Sequence, residues 1–349
     1  PFKKQELMNF INRSIKMEDL IRENRRLKAD MSKTSGLDAF VGVSDEICEV
    51  KSIIEQVAKT ESTILITGES GTGKEVAARA LHSLSNRSEG PFVAINCGAI
   101  PVELLESELF GHVKGSFTGA VKDKAGLMAM ADGGTFFLDE VGNTAPLIQM
   151  KILRAIQERE IQPVGGQAPR KVDIRVVAAT NENLEESINR GEFRRDLYYR
   201  LNVINIHIPP LRDRPDDIEV LFMHFLRNKS VRKPATIDVI PKDVLETLVN
   251  YHWPGNIREL ENVVERVIAL SGNGEIALRH LPDRIINPSM GNLIPAAGSG
   301  IPNMEDIEKA YIHWVLSRQK GQKQKAAEIL GIGRSTLDRK IEKYGLEEV

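Results

Sequence analysis

The sequence predicts an α/β fold built on a parallel sheet and followed by helical segments, and three observations predict it. A β-rich run, Thr63 to Thr67, leads into the glycine-rich stretch Gly68-Glu69-Ser70-Gly71-Thr72-Gly73-Lys74-Glu75, with a helix opening at Lys74. An apolar run, Gly133-Gly134-Thr135-Phe136-Phe137-Leu138, ends in the adjacent carboxylates Asp139 and Glu140. A third run, Ile174 to Asn181, ends in the small polar residues Thr180 and Asn181. Buried strands separated by helical segments form parallel sheets whose ligands bind at the carboxyl ends of the strands, and these polar residues all fall at such ends.

Taken in order, the glycine-rich stretch reads as a phosphate-cradling loop. Glycine lets successive backbone N–H groups turn toward one anion, and the helix that follows adds the positive end of its dipole. Gly68 to Glu75 is therefore the candidate nucleotide site, with Lys74 against the β- and γ-phosphates. Such loops usually end in a Ser or Thr that holds Mg²⁺. Here that position is Glu75, so the metal must take its protein ligand from elsewhere, and Asp139 fits. Glu140 fits the general base that polarises the attacking water. Thr180 or Asn181, on an adjacent strand end, could sense the γ-phosphate or orient that water. A fourth strand, Phe92 to Asn96, ends in Asn96, which could hold Glu140 out of its catalytic position until a signal arrives.

Between the strand ending in Asn96 and the acidic pair stands Gly115-Ser116-Phe117-Thr118-Gly119-Ala120. From the residues alone, two glycines flanking Phe117 and Thr118 describe either a mobile tip that presents an aromatic anchor to a partner or a surface turn with Phe117 tucked into the core. On this hexapeptide, the phosphate loop and the acidic strand end, the chain resembles the bacterial enhancer-binding proteins, the AAA+ activators of sigma-54 RNA polymerase of the nitrogen-regulator response-regulator type. The resemblance runs from about Leu37 to the C-terminus. It implies an ATPase using ATP and Mg²⁺, with Gly115, Ser116, Phe117, Thr118, Gly119 and Ala120 as the contact to sigma-54. Two departures stand out: Ser116 where the family has Ala, and Val113 where it often has an acidic residue.

The resemblance assigns further roles. In Gly191-Glu192-Phe193-Arg194-Arg195-Asp196-Leu197-Tyr198-Tyr199-Arg200-Leu201, Arg194 and Arg200 match arginines that reach across a subunit interface to the neighbour's γ-phosphate, a task suited to a planar fork. Surface pairing with Asp196 and Glu192 is the competing reading of those arginines. Trp253-Pro254-Gly255-Asn256-Ile257-Arg258 opens an amphipathic helix that resembles the second sensor motif of the AAA+ lid, which places Arg258 near the nucleotide. Self-association, from a dimer to a ring of six or seven subunits, is implied as well.

The C-terminal part reads as a helix-turn-helix: a helix from about Met304 to Gln319, then Gln322 to Leu330, the turn Gly331-Ile332-Gly333, and Arg334 to Tyr344. Lys309 to Leu346 carries nine Lys or Arg against three Asp or Glu, a balance of +6 within a chain whose total is −2, which points to double-stranded DNA as partner. Lys323, Lys325, Arg334, Ser335, Thr336, Arg339 and Lys340 are the candidate DNA contacts, resembling a Fis-type module whose first helix, with Trp314, is the expected dimer interface. The N-terminal Phe10, Met17, Asn24 and Met31 recur every seven residues, as do Leu20 and Leu27, so a linker or dimerisation helix is expected over 1–33. Pro1-Phe2 resembles the end of a receiver domain, so a phosphoacceptor domain is expected to precede it.

The expected domains are thus a linker helix (1–33), an α/β ATPase subdomain (38–208), a helical lid (209–287), a Gly/Pro/Ser-rich linker (288–303) and a helix-turn-helix domain (304–349). With 349 residues, 41% of them hydrophobic, the chain is long enough for several cores. No signal peptide or apolar membrane run occurs, and Cys48 and Cys97 have no metal-ligand spacing, so a reduced cytoplasmic setting without membrane contact is expected. The reading is an ATP-hydrolysing activator that binds upstream DNA and remodels the sigma-54 holoenzyme. Its alternative is a nucleotide-switched DNA-binding regulator without turnover, against which Asp139, Glu140, Arg194 and Arg200 argue.

Overall fold

A computed structural model of the chain describes residues 36–117, 120–229, 240–271, 276–286 and 322–345, with scattered helical positions between 305 and 316. The linker helix expected over 1–33, the linker over 288–303, and Thr118, Gly119 and Trp314 lie outside the described residues.

The elements follow in order as α1 (Asp45–Ala58), β1 (Ile64–Thr67), α2 (Lys74–Ser83), β2 (Phe92–Asn96), α3 (Val102–Phe110), β3 (Gly111–His112), β4 (Lys124–Ala125), α4 (Leu127–Met130), β5 (Thr135–Asp139), α5 (Pro146–Gln157), β6 (Glu160–Ile161), β7 (Arg170–Lys171), β8 (Arg175–Thr180), α6 (Leu184–Asn189), α7 (Arg195–Leu201) and β9 (Ile204–His207). Beyond them come α8 (Asp216–Lys229), α9 (Lys242–Val249), α10 (Asn256–Ser271), α11 (Asp283–Ile286), α12 (Lys323–Leu330) and α13 (Arg334–Tyr344).

Five strands form one parallel sheet in the order β2-β5-β8-β1-β9. Successive side chains of a strand point to opposite faces, and both faces of this sheet are covered. Leu65, Phe136, Leu138, Val176 and Ala178 pack on one side against Leu105, Leu109 and Phe110 of α3, Ile148 and Ile152 of α5, and Leu197 and Leu201 of α7. Ile64, Ile66, Phe137, Val177 and Ala179 pack on the other against Ile47, Val50 and Ile54 of α1 and Ala77, Ala78, Ala80 and Leu81 of α2. Three alanines let α2 lie close on the sheet, which fixes the height of its N-terminal Lys74 above the strand ends. The edge strand β9 was not among the strands read from the sequence. Its buried Ile206 alternates with the exposed Asn205 and His207, the pattern of a strand with one wet face.

The chain divides into two compact units. The first comprises the described residues up to Lys229 with His252–Asn262, and the second those from 240 to 251 with Val263 onward. In the second unit, Ile312, Val315, Leu316, Ala326, Ala327, Leu337 and Ile341 form a small core. Between α12 and α13, Gly331 takes a left-handed φ of 65°, and Ile332 N–H donates to Ala327 O at 3.1 Å. This is the Schellman stop that a glycine after a helix permits, and it gives the short turn that a helix-turn-helix needs.

Candidate active site

The phosphate loop sits where β1 meets α2, and three of its glycines have positive φ: Gly68 (154°), Gly71 (80°) and Gly73 (104°). At Gly71 the backbone of Gly255 passes so close that no side chain would fit. With Ser70, Gly71, Gly73, Lys74 and Glu75 on one wall and Asp139 and Glu140 on another, the loop borders a cavity of about 330 Å³. Gly68, Glu69 and Thr72 shape the loop from behind instead of lining that cavity. Lys74 Nζ donates to Gly68 O (2.7 Å) and Glu69 O (3.0 Å), so the loop's own carbonyls hold its lysine in place.

Burial lowers the Lys74 pKa, while the Asp139 and Glu140 carboxylates pull it back up. Burial raises Asp139 in turn, against the pull of Lys74. In both groups desolvation outweighs the mutual attraction, so a polyanion and a cation entering together would relieve both. The donor set fits Mg²⁺. Among the described residues no three metal-ligating side chains cluster, and Mg²⁺ takes only one or two carboxylates, filling its shell with water and phosphate oxygens. Asp139 is the carboxylate available. Glu75, standing where the hydroxyl usually is, is held along α2 by Arg79 at 2.6 Å.

Glu140 has φ 53° and ψ 48°, a left-handed conformation that an ordinary residue adopts only when its surroundings impose it, as at functional sites. Asn96 does not bond it as the sequence suggested. Asn96 Nδ2 donates to Asp139 Oδ2 (3.1 Å), because in the parallel register Asn96 lies opposite Asp139. The amide that reaches Glu140 is Asn143, whose Nδ2 donates to Oε2 at 3.3 Å, and a Cβ at Gly98 would stand 2.6 Å from that same oxygen. Thr180 is buried, its hydroxyl accepting from Glu182 N–H at 3.0 Å, and Asn181 is exposed; neither lines the cavity.

Several lining residues were invisible in the sequence. Phe40, Val41, Leu221, His224, Phe225 and Ile257 form an apolar end to the cavity, suited to a base. Burial lowers the His224 pKa, which keeps its ring neutral there. Asn256, φ 50°, ties α10 to the loop: its Oδ1 accepts from Leu211 N–H (2.8 Å) and its Nδ2 donates to Ser70 O (3.0 Å) and Glu69 Oε2 (3.2 Å). Glu69 takes a bidentate pair from Arg212 (2.6 and 2.9 Å), which holds its carboxyl below the usual range. The carboxylate of Glu69 is thus a strut and not a phosphate contact. Arg258 lines the cavity, its Nη1 donating to Ser70 Oγ at 3.3 Å.

Arg194 and Arg200 are exposed and away from this cavity. Arg194 makes the surface pair weighed above, a bidentate contact with Asp196 (2.6 and 3.0 Å). Such an exposed pair is weak and readily exchanged for a stronger anion. Arg200 has no ion pair among the described residues.

In the Gly115–Ala120 segment, Gly115 N–H donates to Ala120 O (2.9 Å), closing a loop on the β3–β4 pair. Phe117 is 40% exposed and meets the His112 ring edge-on at 5.0 Å, so it is not tucked into the core. Ser116 Oγ is buried without a hydrogen-bond partner among the described residues, a desolvated hydroxyl that an alanine would not carry. Val113 N–H donates to Val164 O at 3.1 Å, so the anchoring of this loop at Val113 is through backbone.

Of the candidate DNA contacts, Lys325, Arg334, Ser335 and Arg339 are exposed and Thr336 is half-buried at the start of α13. Lys340 differs from expectation: it pairs with Glu308 at 2.6 Å, as does the Tyr344 hydroxyl at 2.7 Å, so it braces the unit internally. Lys323 faces Asp338 at 3.6 Å.

Cys97 lies directly behind the acidic pair, its N–H donating to Asp139 O at 2.9 Å. Burial and the two carboxylates push its thiol up to about 12. It therefore stays protonated at pH 8, and thiolate is the species that alkylates. Native protein treated with a maleimide at that pH should take up one equivalent, on exposed Cys48, and two after denaturation. Two adducts on folded protein, by intact mass, would contradict this burial.

Comparison with known proteins follows the same division of the chain. Residues 40–207 match the sigma-54 interaction domain, 212–292 the AAA+ ATPase lid domain, and 303–344 the bacterial regulatory protein, Fis family. The transcriptional regulatory protein ZraR of Klebsiella oxytoca is 43% identical over 335 residues, covering 96% of this chain and 75% of ZraR. The putative uric acid sigma-54-dependent transcriptional regulator UacR of Escherichia coli is 46% identical over 325 residues, covering 89% of this chain and 54% of UacR, so the chain spans about half the length of that relative. The crystal structure of NtrX from Brucella abortus in complex with ATP superimposes with a TM-score of 0.68 at 35% identity, covering 99% of this chain and 77% of NtrX.

Proposed function

The chain belongs to the sigma-54-dependent transcriptional activators with an AAA+ ATPase module and a Fis-type DNA-binding domain, and from this we propose that it hydrolyses ATP to remodel the sigma-54 RNA polymerase holoenzyme while bound to upstream double-stranded DNA. The observation that carries the proposal is the cavity in which Asp139 and Glu140, at the end of β5, face Lys74 of the phosphate loop.

In the proposed mechanism the loop amides and Lys74 hold the β- and γ-phosphates, and the apolar end around Phe40 and Phe225 takes the base. Mg²⁺, when bound through Asp139, supplies charge neutralisation at the phosphate oxygens. Glu140 accepts a proton from the attacking water, which requires its carboxylate to leave Asn143. Arg258 lines the same cavity beside Ser70, while Thr180 and Asn181, expected to sense the γ-phosphate, stand at the end of the adjacent strand outside its lining. Arg194 and Arg200 act from the next subunit, a role favoured by their exposure outside their own cavity. This requires a neighbouring subunit, which a ring of six or seven would supply, and an isolated subunit would hydrolyse ATP poorly.

The Gly115–Ala120 loop meets sigma-54 with Phe117 at its tip, and α13 enters the DNA groove led by Arg334, Ser335 and Arg339. Among the described residues no helix is long and apolar enough to cross a membrane. We place the protein in the cytoplasm, responding to a two-component signal.

Trapping tests the proposal. Purified sigma-54 should bind the native chain in ADP and aluminium fluoride, and not in ADP alone, and Phe117→Ala should abolish that complex. A chain that hydrolyses ATP yet forms no complex under any nucleotide would remove sigma-54 as the partner.

A further inference from the structure

We infer that Gln149 is a positioning residue that sets Arg194 from the acidic end of the sheet in its own subunit, so that the site holding Glu140 and the arginine offered to the next subunit are joined by one side chain. The inference rests on the trans role proposed for Arg194.

Gln149 lies in the first turns of α5 and is completely buried. A buried amide must place two donors and an acceptor, and this one does so across three backbone positions. Its Nε2 donates to Thr144 O (2.7 Å) and Glu192 O (2.9 Å), and its Oε1 accepts from Arg194 N–H (2.8 Å). The pattern also fixes which end is which, since a flipped amide would face two carbonyls with its oxygen.

Each end of this bridge is stiff. Thr144 closes the turn that begins at Glu140: Asn143 N–H donates to Glu140 O (3.0 Å), and both Thr144 N–H (3.2 Å) and its hydroxyl (2.7 Å) donate to Val141 O. On the far side, Glu192 and Arg194 flank Phe193, which is buried, and Arg194 O accepts from Tyr198 N–H (3.1 Å) as α7 begins. Among the described residues the Arg194 side chain has only the exposed Asp196 to hold it, so what is fixed is the backbone from which it extends. A shift of the Glu140–Thr144 turn, such as release of Glu140 from Asn143 would bring, moves Thr144 O and through Gln149 moves the root of Arg194.

Gln149→Met keeps the length and apolar stem but makes none of the three bonds; Gln149→Glu keeps the acceptor for Arg194 N–H and turns an anion on two carbonyls. Both should lower kcat on the order of ten- to hundredfold, as small misplacements of a charge-stabilising group do, with the KM for ATP little changed. Mixing separates this from a general loss of structure. Glu140→Gln subunits lack a base but offer a well-placed Arg194, so adding them to Gln149→Met subunits should restore turnover above that of either alone. Arg194→Ala mixed with Glu140→Gln is the control. If that control fails to complement, the trans role of Arg194 falls and the inference with it. If the control complements while both Gln149 variants do not, or if either retains native kcat, Gln149 does not position Arg194.

Discussion

A Glu140→Gln variant will bind ATP and turn it over at least about a hundredfold more slowly than the native chain, the loss expected when a positioned general base is removed. The substitution keeps shape and size, so the left-handed backbone at φ 53° and the packing against Gly98 are undisturbed. Only the capacity to accept a proton goes. Asn143 Nδ2 can still donate to the amide oxygen that replaces Oε2, so the parked geometry survives. Single-turnover hydrolysis together with binding of a fluorescent ATP analogue checks both halves of the expectation. Near-native turnover would move the base elsewhere, and loss of binding would mean that the residue shapes the nucleotide pocket.

That the base could be named from the sequence reflects how local its signals are. The phosphate loop is contiguous, its glycines are required by positive φ at Gly68, Gly71 and Gly73, and the acidic pair terminates an apolar strand of the expected kind. Strand β2 and helix α13 have the bounds read from the sequence for the same reason: each is closed by a turn signal next to it.

What escaped are contacts between residues far apart in the chain. Asn256 reaches Ser70 across 186 positions, and nothing in the Trp253-Pro254-Gly255-Asn256 turn states its target, although a turn that drives an asparagine into positive φ hints that its side chain is committed. Glu69 looked like a phosphate-loop ligand because of its place in the motif, but Arg212, in a separate turn, claims its carboxylate. Asn96 and Asn143 were open to confusion because both approach the acidic pair, and only the strand register, which sets Asn96 opposite Asp139, tells them apart. Lys340 belonged to a basic stretch in the sequence, yet its partner Glu308 stands on an earlier helix.

Asp217→Ala should destabilise the first unit by about 3–5 kcal/mol, the cost of leaving one member of a buried ion pair without the other. Both Arg214 and Asp217 side chains are fully inaccessible, with Arg214 Nη1 3.6 Å from Asp217 Oδ2. The carboxylate also accepts from Val43 N–H (2.6 Å), Ser44 N–H (2.8 Å) and Ser44 Oγ (3.0 Å) at the start of α1. Arg214 Nη2 donates to Thr72 O in the phosphate loop at 3.1 Å, while its Nε and Nη1 have no hydrogen-bond partner among the described residues. Removing Asp217 therefore strands a poorly satisfied guanidinium and frees two unpaired backbone donors, whereas Arg214→Met with Asp217→Ala removes both charges. The double variant should be less destabilised than Asp217→Ala alone, a coupling that a cycle of denaturant midpoints measures directly. Nucleotide affinity should fall alongside, because Phe40 and Val41, which line the cavity, precede the segment that Asp217 anchors. A single variant within about 0.5 kcal/mol of native, the usual scale for surface changes, would show that water reaches the pair and that the phosphate loop does not depend on it.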